Sequence, residues 1–118
     1  MCMRPESAAL VWDALDAATS IVSFLDGVTL DGYVKDLLRR RAVEREFEII
    51  GEALGRLSRI DPETAARIPS LRNAVGLRNV LIHGYAEIVD DRIYDTAVQD
   101  LPGLIDVLKA LMAEAGEP

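Results

Sequence analysis

From Ala8 to Leu25 the apolar residues fall at positions 8, 11, 12, 15, 18, 21, 22 and 25. Spacings of three and four put these side chains on one face of a helix, and Asp26-Gly27 reads as its stop. A second helical pattern runs from about Leu30 to Leu57, with Leu37, Leu38, Val43, Phe47, Ile50, Leu54 and Leu57 on the buried side. It should be the longest helix. Gly51 and Gly55 lie inside it, each costing about 1 kcal/mol of helix propensity relative to alanine, and they predict notches where another helix comes close. Asp61-Pro62 supplies an N-cap and a proline at the first helical position of a short helix that Pro69 ends, and Ser70 can cap the next.

That third long helix is expected from about Leu71 to Ile82, ending where Gly84 can take the left-handed conformation that favours a helix C-terminus. Asp90 can cap a final helix to about Glu114, with Pro102 and Gly103 marking a kink or a break. Trp12, Phe24, Phe47 and Tyr94 fall on apolar faces and are expected in the core. No stretch of alternating hydrophobicity is long enough to suggest a sheet, and no repeat is visible. The expected fold class is all-α: an antiparallel four-helix up-and-down bundle with an additional short helix, formed by residues 1–118 as a single domain.

Composition narrows the chemistry. Half of the 118 residues are hydrophobic and 28% are charged, which is globular rather than disordered composition. No apolar run approaches the roughly 18 residues of a membrane span, and the N-terminus has no signal-peptide core, so a soluble, cytoplasmic protein without membrane contact is expected. Cys2 is the only cysteine and His83 the only histidine, which excludes an internal disulfide framework and leaves no recognisable zinc-ligand cluster. Cys2, close to the chain end, is read as incidental. The formal charge is −7, yet residues 39–78 hold nine arginines against six acids, leaving four bases and fourteen acids elsewhere. A basic middle in an acidic shell can focus an anionic substrate into a cleft, while the acidic flanks oppose non-specific binding to long polyanions. The same arginines can equally form ion pairs along helix surfaces.

The stretch Leu77-Arg78-Asn79-Val80-Leu81-Ile82-His83-Gly84-Tyr85 holds a fixed cation, the one histidine and a phenol within eight residues. Arginine can grip a phosphate bidentately without losing its charge, and histidine can change protonation near neutral pH, a pairing suited to a phosphodiester. Residues five apart on a regular helix differ by about 140° in direction. A helix end at Gly84 would release His83 and Tyr85 from that constraint and let them converge with Arg78. Helix C-terminal carbonyls favour a protonated imidazole and a nearby arginine opposes it; the sequence leaves that balance open. Each residue also has a structural reading: a satisfied histidine, a surface ion-pair partner, a half-buried aromatic. Glu52 faces away from Phe47 and Leu54 and can pair with Arg56 four residues on, so it is read on a solvated face, with support of the site as the alternative.

Nearly the whole chain resembles the HepT-like proteins of the HEPN superfamily. The matching features are Phe47-Glu48-Ile49-Ile50-Gly51-Glu52-Ala53-Leu54, the Asp61-Pro62 to Ile68-Pro69 connection, the Leu77 to Tyr85 stretch, and Asp100-Leu101-Pro102. The R-x4-6-H element is that superfamily's functional signature, usually with a polar residue after the arginine, and Asn79 fits that place; the tyrosine two positions after the histidine is particular to the HepT-like branch. The resemblance implies an all-α bundle that forms a homodimer with two motif copies lining one cleft. It implies a metal-independent ribonuclease toxin of a toxin–antitoxin pair acting on RNA, tRNA being one candidate, with Arg78 and His83 catalytic, Asn79 and Tyr85 supporting, and no cofactor for cleavage. The implied partner is an MntA-like nucleotidyltransferase antitoxin that uses ATP to transfer AMP to Tyr85. One departure is that many relatives carry an acid soon after the tyrosine, whereas here Ala86 precedes Glu87, leaving the role of Glu87 open.

Metal-free RNA cleavage needs a base for the 2′-hydroxyl and an acid for the departing 5′-oxygen. With one histidine per chain, two imidazoles require two chains. The alternative is a non-catalytic helical dimer that binds the nucleotidyltransferase and nucleotide, presenting Tyr85 while Arg78 and His83 hold phosphate.

Overall fold

The computed structural model describes residues 3–83 and 90–115, with the backbone alone for His83. Cys2, the Gly84 stop, Tyr85, Ala86 and Glu87 lie outside the described residues. Seven helices are found among them: α1 (Pro5–Phe24), α2 (Leu30–Lys35), α3 (Leu37–Ile60), α4 (Pro62–Ala65), α5 (Leu71–His83), α6 (Asp90–Gln99) and α7 (Leu101–Ala115). The chain is an all-α helical bundle with no strand among the described residues.

Helix α1 lies between α3 and α7, and α3 carries α5 on another flank. Cross-links at both ends give the directions. Near its start, α1 meets the end of α3: the Arg4 guanidinium donates to the Ile60 carbonyl, and Ser7 Oγ donates to Asp61 Oδ2 at 2.6 Å. Where α1 ends, Arg39 Nε donates to the Phe24 carbonyl at 3.1 Å. The two helices are therefore antiparallel. Their shared interior holds Val11, Ala14, Ala18, Ile21, Ile50, Leu54 and Leu57, and α7 adds Leu104, Leu108 and Leu111 at helical spacing.

Asp61 does three jobs at one corner. Its carboxylate caps α4, accepting from Thr64 N at 3.2 Å and Thr64 Oγ1 at 2.7 Å, and it also receives Ser7. The hydrogen bonds from Ser7 and Thr64 hold its carboxyl below the ordinary aspartate range. At the opposite end α2 is pinned to α6, where the Tyr33 and Tyr94 rings lie 5.7 Å apart and Tyr94 Oη donates to the Val28 carbonyl at 2.6 Å.

Several expectations need correction. The helix expected over Leu30–Leu57 is two helices, because Thr29 and Asp36 each act as an N-cap, accepting from Gly32 N and Arg39 N. Leu37 and Leu38 are exposed, Leu38 at 82%, since the first turn of α3 extends beyond the core. Trp12 and Phe24 are exposed as well. The buried face of α1 is turned toward the small residues Ala14, Ala17 and Ala18, which leaves Trp12 on its far flank. Phe47 is buried as expected and Tyr94 is half-buried. The final helical segment is broken at Asp100, one residue before α7 begins.

Candidate active site

Helix α5 is amphipathic in a narrow way: Leu77 and Leu81 are buried, while Arg72, Asn73, Gly76, Asn79 and Ile82 are exposed. It packs chiefly on α3, and the contact is closest at Gly51. A Cβ on Gly51 would collide with Cβ of Arg78, and would come within 2.8 Å of the Ala74 carbonyl oxygen and 2.9 Å of Arg78 Cγ. Gly55, one turn on, meets Val75 Cγ2 only at 3.7 Å, an ordinary contact. Of the two expected notches, Gly51 is the one the packing requires. Because 51 meets 78 and 55 meets 75, α5 runs antiparallel to α3.

Arg78 thus rises from the α3–α5 seam with its stem against the α3 backbone. Its Nε is buried and has no hydrogen-bond partner among the described residues, whereas NH1 donates to Asn79 Oδ1 at 3.3 Å. With the Nε edge sealed, an anion reaches the guanidinium through its terminal nitrogens. Arg78 has no carboxylate within salt-bridge distance among the described residues, so its charge is not neutralised by a paired acid there. Asn79 is exposed beside it.

His83 is the last residue of α5. The helix therefore continues one residue beyond the expected Ile82, and any release from helical direction begins after the histidine. On a regular helix positions 78 and 83 stand about 7.5 Å apart along the axis and about 140° apart around it. The structure brings together Arg78, Asn79 and Gly51. The His83 side chain and Tyr85, to which chemistry was also assigned, lie outside the described residues.

Arg40 pairs with Asp90 at 3.3 Å, joining α3 to the first residue of α6. Arg41 pairs with Glu44 at 3.1 Å and Arg45 with Glu48 at 3.8 Å along α3, and Arg39 and Arg67 pair with Asp36 and Glu114. Five of the nine arginines of the basic middle are thus ion-paired, and Arg56, Arg59, Arg72 and Arg78 are not among the described residues' salt bridges. The Glu52–Arg56 pair expected from their spacing is absent; Glu52 is simply exposed. Tyr33, whose hydroxyl is buried without a partner among the described residues, lies near Glu44 and Asp90. Burial first, then those two acids, raises its phenol far above the ordinary tyrosine range. Sequence reasoning missed the Arg40–Asp90 clamp and the Tyr33–Tyr94 pair because neither partner is near the other in sequence; the only signal was Asp90 at a helix start. Among the described residues no three of His, Cys, Asp and Glu are grouped so as to hold a metal ion, and no helix is long and apolar enough to cross a membrane.

This geometry is an arginine fixed at a helix seam, five residues before a histidine at the helix end, in an all-α bundle. A model of the family described as ribonuclease HepT-like matches residues 14–111, and the chain belongs to that family. It is 31% identical over 94 residues to "Putative RNase MJ1380" of Methanocaldococcus jannaschii, covering 80% of this chain and 85% of that protein. It is 28% identical over 111 residues to "Putative RNase MJ0127" of the same organism, covering 94% and 91%. "Putative RNase TTE0752" of Caldanaerobacter subterraneus subsp. tengcongensis is 29% identical over 92 residues, covering 78% and 81%. No solved structure gives a significant match.

Proposed function

We propose that the protein is a metal-independent ribonuclease toxin whose cleavage site forms between two copies of the chain. The observation that carries this reading is Arg78, without a paired carboxylate among the described residues and seated on Gly51, five residues before the only histidine of a chain in the ribonuclease HepT-like family. The relatives' names as RNases support it.

In this mechanism one His83 takes the proton from the ribose 2′-hydroxyl, whose oxygen attacks the adjacent phosphorus. The partner subunit's His83 protonates the departing 5′-oxygen. Arg78 binds the non-bridging oxygens through its terminal nitrogens as negative charge builds on them, and Asn79 orients the phosphate or the guanidinium. The single histidine supports a two-chain site, as does the divergence of positions 78 and 83 around α5. No cofactor takes part in cleavage.

Regulation follows from the same charge. An MntA-like nucleotidyltransferase antitoxin transfers AMP from ATP to the Tyr85 hydroxyl with release of pyrophosphate, adding an anionic phosphodiester and a nucleoside that compete with RNA for Arg78. Incubating purified protein with a mixed RNA pool in the presence of a chelator tests the enzyme. Cleavage abolished by His83→Ala supports it, and equal cleavage by that variant refutes the catalytic assignment. Binding of the transferase without any RNA cleavage would instead favour the non-catalytic dimer. Co-expression with the transferase should add the mass of one AMP to the parent and none to Tyr85→Phe.

A further inference from the structure

After proline, glycine is the residue the interior of a long helix least favours, and α3 holds two of them one turn apart on the side facing α5. They are not equivalent. At Gly55 an added methyl would rest 3.7 Å from Val75, a contact that alanine makes without displacement. At Gly51 it would occupy the space of the Arg78 Cβ and crowd the Ala74 carbonyl oxygen. Gly76 and Gly103 have open space around the same imagined carbon, so Gly51 is the collision among the described helical glycines.

What the missing methyl admits is the stem of Arg78, with Nε buried behind it and the terminal nitrogens left for an anion. We infer that Gly51 is the positioning residue for Arg78: the absent Cβ on α3 sets the depth and direction from which the guanidinium reaches a phosphate. Gly51 touches no substrate. Its effect passes through one side chain, and a shift of about 1 Å in a group that must meet a transition state costs about 100-fold in rate. The inference rests on reading Arg78 as the phosphate-binding group of a ribonuclease.

The two glycines provide the test, since Gly51→Ala and Gly55→Ala make the same change in the same helix against the same neighbour. RNA cleavage and the 15N–1H signal of the Arg78 Nε–H, assigned by its loss in Arg78→Lys, are measured for both. Gly55→Ala should cleave like the parent and leave the signal in place. Gly51→Ala should keep its helix content, shift that signal, and lose about 100-fold in kcat, approaching Arg78→Ala. An unshifted signal, or a shifted signal with the parent's rate, overturns the inference. Should Gly51→Ala fail to fold, the folded parent decides: an Arg78 Nε–H that exchanges slowly with water places the stem in the Gly51 notch, and exchange at the rate of an exposed arginine overturns the claim. If the parent itself cleaves no RNA, the functional reading fails, and the Arg78 signal still answers separately whether Gly51 sets that side chain.

Discussion

The α1–α3–α7 interior and the α5 edge are built on different terms. In the first, Val11, Ile21, Leu54, Leu57 and Leu108 are fully enclosed, and polar links at both ends of α1 lock it to α3. In the second, a 13-residue helix buries Leu77 and Leu81 and relies on one glycine notch for its close approach. Stability is concentrated away from the candidate chemistry. Exposed residues of the α5 edge can therefore be changed with little loss of fold, and changes to the interior should remove the fold first.

The sharpest way to break this contrast is to empty the interior. Leu57→Ala should cost about 2–5 kcal/mol in urea denaturation, the range for an enclosed leucine, and Leu81→Ala, at the bundle margin, should cost distinctly less. Equal losses would mean that α5 is as much part of the core as α3. Next in size is the corner at Asp61. Asp61→Ala should cost about 1–2 kcal/mol through the lost cap, read as a lower melting temperature. Because the folded carboxyl titrates below its usual value, its contribution is complete above the ordinary aspartate pKa of about 3.9 and fades as pH falls through the lower folded value. The gap between parent and Asp61→Asn should therefore narrow in acid.

Glu46 offers a smaller effect of opposite sign. Burial first, then Asp16, raises its carboxyl pKa, so the charged form opposes folding above the raised value and the penalty is relieved as pH falls through it toward the unfolded value. Glu46→Gln should melt slightly higher than the parent at neutral pH and converge with it in acid. Smallest of all is Leu38→Ser, which should change stability by no more than about 0.5 kcal/mol because this leucine is almost wholly in solvent. A large loss there would reveal a covered surface.

Helix positions were legible where local chemistry and periodicity agreed. Asp61-Pro62 gave the α4 start, and Val11, Leu15, Ala18 and Ile21 marked the buried face of α1. They misled where small residues carry the packing. The three-and-four spacing puts Trp12 on the apolar stripe, whereas the buried face of α1 is centred on Ala14, Ala17 and Ala18 and leaves Trp12 exposed. Leu37 and Leu38 prolonged an apolar rhythm across Asp36, whose cap starts a new helix. At the candidate site, Arg78 and the Gly51 notch could each be read singly. That they meet could not, since 27 positions separate them and the link exists only once α5 folds back along α3.

The central claim concerns Arg78, and its most direct measurement is the initial rate of RNA cleavage by purified Arg78→Ala against the parent at matched helix content. The account predicts a fall of about 100-fold or more, the scale for removing a donor to a developing oxyanion, with the melting temperature nearly unchanged. Arg78→Ala protein that is fully folded and cleaves RNA at the parent's rate would contradict it.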